Sequence, residues 1–314
     1  MVLPLQAGPF LHAAEAVKAG IHAARDIDVA QARLEVIATG AADDSVVAGY
    51  REAAARGARV IIGPMHRTGV SALVKSELAT LPTIVLAAPD PGQNLPRWIY
   101  AFSLSIEAEA RQLAQIAARE YFRAPLVVTT GAPLERRGQQ AFSDAWRKLG
   151  GKQVEVIEFA PLPVATPAIR ARLGSTKADF IVLFCDAERL RTIRPYLKQA
   201  IPTYATSHTY TGCCDARQGV DLEGVHFLDL PWLLIPDHPA VMVYPRPDGY
   251  TAELERFYAL GVDAFRLALE ILADNGRNFQ IDGVTGQLNM GRGNSVERTL
   301  VHAVLRGGRA AVLP

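Results

Sequence analysis

Strand-length apolar clusters alternate with amphipathic, helix-length segments along most of these 314 residues, and that rhythm constrains the fold more than any other feature. A strand followed by a helix must cross back over the sheet before the next strand begins, so successive strands end up parallel. The pattern predicts strands at 2–5, 34–38, 59–62 and 83–87, with helices at 11–25, 43–56 and 68–79 between them. Pro82 stops the third helix, Gly57 stands where the second ends, and Asp43 and Asp44 stand where its N-cap belongs.

A cluster of Pro, Gly, Asn and Asp over 89–96 breaks the rhythm, and a second series starts after a short strand at 98–102. Its predicted helices are 106–122, 134–149, 168–173 and 187–199, and its strands 126–130, 154–159, 179–184 and 203–206. In the first of these helices Leu113, Ile116, Ala117 and Tyr121 share one stripe, and Glu107 and Glu109 are first-turn acids. A strand at 225–228, a Pro-rich crossing over 231–247 and a long helix over 251–273 follow, the last offering Leu254, Phe257, Leu260, Phe265, Leu269 and Leu272 for burial. The fold class is therefore α/β, with two doubly wound parallel-sheet lobes joined by hinge strands. Residues 1–102 with 235–290 form the first lobe, and 103–234 with 291–314 the second. Ligands of open parallel sheets bind at the carboxyl ends of strands, which in two such lobes line a cleft.

Charge narrows the function. Lys and Arg number 33 against 32 Asp and Glu, a net charge of +1, so neither a general nucleic-acid binder nor a basic membrane-surface protein is expected. The 27 Arg and 6 Lys reflect composition rather than a cluster, since only clustered Arg marks an anion site. No apolar run approaches the ~20 residues of a transmembrane helix. Met1-Val-Leu-Pro-Leu5 opens inside a strand with no basic or cleavable leader, so either the protein is cytoplasmic or a leader precedes the domain.

Catalytic motifs are missing. The chain has no GxGxxG after its first strand, no GxxxxGK[ST], no GxSxG and no HExxH, and its seven His make no zinc spacing with Cys; neither cofactor nor metal is expected. Cys185-Asp186 and Ser207-His208 follow strand runs, so a Cys/His or Ser/His nucleophilic pair is conceivable at the strand ends, against the plainer reading of loop and pocket-lining residues. Cys185 is read as free and buried, a bridge to Cys213 or Cys214 being the alternative. Glu135, Arg136 and Arg137 read as a solvated first turn.

Several segments carry a resemblance. Leu3-Pro-Leu with Gly8-Pro-Phe10, residues 57–64 (GARVIIGP), 260–265 (LGVDAF) and 283–288 (GVTGQL) are similar to type I periplasmic binding proteins. More narrowly, 204–208 (YATSH), 221–227 (DLEGVHF) and 229–233 (DLPWL) resemble LppC-type lipoproteins, outer-membrane activators of bifunctional penicillin-binding proteins. The resemblance implies a non-catalytic periplasmic module that binds and activates a peptidoglycan synthase, tethered to the outer membrane by an N-terminal lipid this chain lacks. Longer members of that family carry an additional N-terminal helical-repeat region, which is not expected within these residues.

The same fold serves solute receptors of amino-acid or amide transporters, which is the alternative. By that resemblance the ligand cleft is lined by Phe10, by His66, Arg67 and Thr68 after the third strand, by Ala87 and Ala88 after the fourth, and by Arg137, Asp186, Ser207 and His208. Two alanines in place of hydroxyl residues, and Ser207-His208 in place of an acid, argue against a zwitterionic amino acid. A small cell-wall fragment or an empty cleft is expected instead.

Overall fold

The computed structural model describes residues 1–28, 32–90, 92–159, 167–212, 221–273 and 279–314. It divides into two compact units: unit 1 is Met1–Ser105 with Ile235–Thr299, and unit 2 is Ile106–Leu234 with Leu300–Pro314. Among the described residues no helix is long and apolar enough to cross a membrane.

Unit 1 begins β1 (Val2–Leu3), α1 (Leu11–Ile27), β2 (Ile37–Ala38), α2 (Asp43–Ala55), β3 (Ile61–Ile62), α3 (Arg67–Lys75), β4 (Thr83–Val85) and β5 (Ile99–Ala101). β1 pairs in parallel with β2, and β3, β4 and β5 pair in parallel with one another. Between the two sets the backbones of Val2 and Gly63 nearly touch: a Cβ on Gly63, at φ +114°, would stand 1.9 Å from the Val2 carbonyl oxygen. Only glycine fits that approach. The cap of α2 differs from expectation. Ala42 is its N-cap and Asp43 and Asp44 occupy the first turn, where their charge favours the helix dipole instead. Gly57, at φ +80°, closes the helix as expected.

Unit 2 runs α4 (Ile106–Arg119), β6 (Pro125–Thr129), α5 (Pro133–Lys148), β7 (Glu155–Glu158), α6 (Pro167–Ser175), β8 (Phe180–Phe184), α7 (Ala187–Ile193), β9 (Thr203–Ala205) and β10 (Val225–Asp229). β7, β6, β8, β9 and β10 lie side by side in that order, all parallel. The second strand lies outside the first, so the winding reverses between β6 and β8, as in a doubly wound sheet. Strand alternation sends Leu126, Val128 and Leu183 to one face, against Leu173, Leu190 and Ile193, and Val127 and Val182 to the other, against Leu113, Phe142 and Trp146.

α4 stops earlier than the apolar stripe suggests. Tyr121 N–H donates to Ala118 and Phe122 N–H to Ala117, the paired bonds of a Schellman turn. Tyr121 takes the left-handed position at φ +63° and is 78% exposed, while Phe122 stacks on Phe180 with ring centres 4.9 Å apart.

The tail holds elements the sequence rhythm does not show. After helical turns at Pro231–Leu234 and Pro239–Met242 come α8 (Ala252–Leu272), then β11 (Gln280–Gly283), β12 (Gly286–Met290) and β13 (Val296–Thr299), an antiparallel trio. Pairing of β13 with β12 keeps 291–299 in unit 1, where the sequence reading placed them in the second lobe. β14 (Val301–Arg306) and β15 (Arg309–Val312) return to unit 2, β14 antiparallel to β10 and β15 to β14.

α8 packs on α1 through Gly20 and Gly261, which let the helix backbones approach closely. Of the residues expected to be buried on α8, Leu260 and Phe265 are, and Leu254, Phe257, Leu269 and Leu272 are half-buried. The helix also buries Asp263 completely. Its carboxylate accepts from Val284 N–H (3.1 Å), Thr285 N–H (2.7 Å) and the Thr285 hydroxyl (2.6 Å), with Arg266 at 3.2 Å. A Cβ on Gly283 would stand 2.5 Å from that carboxylate, so the 260–265 and 283–288 segments are one interlocked structural feature.

Candidate functional site

In unit 1 the candidate residues gather where β1, β3 and β4 end. Phe10 is the N-cap residue of α1 and His66 that of α3, and their rings stack with centres 5.3 Å apart and planes at 13°. His66 is 5% exposed, and neither ring nitrogen has a hydrogen-bond partner among the described residues. Burial holds its pKa down, against a weaker upward pull from Asp43, so the ring is neutral at pH 7. It lies over the first turn of its own helix: a Cβ on Gly69 would come within 2.7 Å of Nε2. Arg67 is half-buried and Thr68 exposed beside it, and Ala87 and Ala88 are half-buried after β4.

In unit 2 the candidates are engaged with neighbours. Ser207 donates both its N–H and its hydroxyl to Glu109, each at 2.9 Å, inside the unit. Glu109 is a first-turn acid of α4, as the sequence suggests, and is 8% exposed. Desolvation raises its pKa, with His208 and the Ser207 bonds opposing and Asp229 reinforcing. His208 itself is exposed. Asp186 caps α7, accepting from Arg189 N–H at 2.8 Å and pairing with the Arg189 guanidinium. Arg137 Nε lies 3.3 Å from Glu107. Glu135, expected in solvent, is also buried, where it takes the N–H and hydroxyl of Thr130 and so ties the start of α5 to the end of β6.

This chemistry overturns the nucleophile reading. The Ser207 hydroxyl donates to the carboxylate of Glu109, where a Ser/His nucleophile would donate to an imidazole. Cys185 is free and buried, and burial, then Glu135 and Asp186, push its thiol far up, so no thiolate forms near neutrality. Cys213 and Cys214 lie outside the described residues. Among the described residues no cluster of His, Cys, Asp and Glu could hold a metal ion. The Glu109–Ser207 contact spans 98 positions and has no local signature that sequence reasoning could have used.

The 229–233 segment is likewise structural at its core. Asp229 is fully buried and accepts from Leu230 N–H at 2.8 Å, and Pro231 starts a turn that buries Trp232 completely. A family model described as "LppC putative lipoprotein" matches residues 1–308. The chain belongs to the LppC family.

Relatives of this LppC chain include the penicillin-binding protein activator LpoA of Erwinia tasmaniensis, 28% identical over 300 residues, covering 81% of this chain and 44% of that protein. LpoA of Yersinia pseudotuberculosis is 26% identical, covering 82% and 46%. The chain thus spans less than half the length of these relatives. Among solved structures, the LpoA C-domain of Haemophilus influenzae, described as a regulator of PBP1A, superimposes with a TM-score of 0.83 over 100% of this chain and 98% of that one. Its 20% identity makes that a likeness of fold. A "putative branched-chain amino acid ABC transporter" of Chromobacterium violaceum gives a TM-score of 0.80 at 36% identity, covering 96% and 98%. The α/β fold with a mainly parallel sheet, shared with type I periplasmic binding proteins, agrees with the sequence expectation.

Proposed function

We propose that this LppC chain binds a bifunctional penicillin-binding protein in the periplasm and raises its synthetic activity, in a protein tethered to the outer membrane by a lipid. The family match over residues 1–308, with relatives named as penicillin-binding protein activators, carries this reading. The site geometry supports a non-catalytic role, since Ser207, Asp186 and Arg137 spend their polar groups on Glu109, Arg189 and Glu107. The test is reconstitution with a cognate synthase. The glycosyltransferase or transpeptidase rate should rise saturably with added chain, and an unchanged rate at micromolar protein would count against the proposal.

A solute receptor for an amino-acid-type transporter is the second reading, favoured by the full-length match to the Chromobacterium violaceum structure. Its ligand, or a cell-wall fragment, would meet unit 1 at Phe10, Arg67 and Thr68. Ala87 and Ala88 weaken that reading, because they offer no side-chain donor there. Thermal-shift titration with branched-chain amino acids, amides and muropeptides separates the cases, since a ligand bound only by the folded state raises Tm. Saturable stabilisation by a free amino acid would favour the receptor.

A further inference from the structure

We propose that His226 and His302 form an acid-sensitive latch on the hairpin β14–β15 of unit 2. The two residues sit on adjacent antiparallel strands, where Leu228 pairs with His302 and His226 with Val304, so both rings project from the same face. His226 Nδ1 lies 3.1 Å from His302 Nε2. Tyr204 of β9 packs against both rings, with centres 4.9 Å and 6.0 Å away, and its hydroxyl donates to Glu120 at the end of α4. Glu120 and Arg306 are the charged groups acting on the pair, the first favouring protonation and the second opposing it.

An N···N hydrogen bond needs one N–H and one lone pair. The neutral pair satisfies that, and so does the pair with one added proton. A second proton removes the last lone pair and sets two cations side by side in a half-buried site. Burial foremost, and for His226 also its partner ring, already depress protonation below the ordinary histidine value of 6.5. The folded state therefore takes up the second proton less readily than the unfolded chain, so stability is retained above pH 6.5 and lost as pH falls below it. The loss is local, because among the described residues the hairpin joins the rest of the unit 2 sheet only along β10. The amide of Gln112, which bonds Leu300 N–H and C=O at 3.0 Å and 2.8 Å, does not titrate and keeps the entry to β14 fixed.

Hydrogen exchange tests this at pH 7.5 and 5.0, with rates corrected for intrinsic pH dependence and β6–β8 peptides as the internal reference. In the wild type, protection of residues 301–312 relative to β6–β8 should fall by about tenfold at the lower pH, the loss expected per pH unit for one linked proton. His302→Gln, which keeps a hydrogen-bonding group that cannot charge, should clearly reduce that pH dependence, leaving only the part that burial of the remaining ring supplies. His226→Gln serves the same purpose if His302→Gln does not fold. Unchanged relative protection in the wild type at pH 5.0, or an equal loss in wild type and variant, would overturn the latch.

Discussion

Gly20 of α1 and Gly261 of α8 face each other's helix backbone: a Cβ on Gly20 would stand 2.0 Å from the Tyr258 carbonyl oxygen, and one on Gly261 2.1 Å from that of Val17. Neither clash can be relieved by turning a side chain, because the obstacle is main chain. Gly20→Ala and Gly261→Ala should each destabilise unit 1 by at least ~1–3 kcal/mol, despite alanine's better helix propensity. Urea midpoints of the two variants check this, and a rise in either midpoint would contradict the close crossing.

Asp263 supports the 283–286 turn with three hydrogen-bond contacts, two of them to main-chain N–H groups. Asp263→Ala strands those buried donors, at a cost of roughly 1–3 kcal/mol each. Asp263→Asn keeps one acceptor oxygen and should lose less. The measurement is the difference between the two variants in thermal unfolding, and equal losses would show that the bonds to the turn are not what matters.

Glu109 gives a pH dependence of opposite sign to the histidine pair. A buried carboxyl whose pKa is raised on folding stabilises most below its unfolded value of 4.5, and that contribution is lost as pH rises through the folded value. Glu109→Gln retains an acceptor for Ser207 but cannot ionise. The Tm of the variant should therefore gain on that of the wild type as pH goes from 4.5 towards 8, and parallel Tm curves would refute it.

His66 invites a simple exchange. Its nitrogens have no partner among the described residues and its ring stacks on Phe10, so His66→Phe should keep the stack and remove the cost of burying unpaired polar atoms. The expected result is an unchanged or raised Tm. A clear destabilisation would mean that the ring nitrogens are satisfied in solution.

Most of the helices and parallel strands are legible because parallel strands such as β6 and β8 are short apolar runs and helices such as α4 and α5 repeat their apolar residues at the helical period. Legibility failed where the determinant was distant or a single turn decided the outcome. Tyr121 continues the apolar stripe of α4, yet the Schellman turn hands burial to Phe122. β11 to β15 carry Gln287, Asn289, Glu297 and His302 amid their apolar residues, and no α-helix separates them, so neither signal of the earlier series applies. At the candidate site the rings of Phe10 and His66 meet, whereas the role of Glu109 is hidden in the sequence because Ser207 lies 98 positions away.

The three passages of the chain between the units have a consequence for synthesis. Unit 1 lacks α8 and its antiparallel trio until residues 235–299 are made, and unit 2 lacks β14 and β15 until 300–314 follow. Neither unit is complete until the chain has passed through the other: the face of α1 that meets α8 stays uncovered until residues 252–272 follow, and β10 stays an unpaired edge until β14 is made.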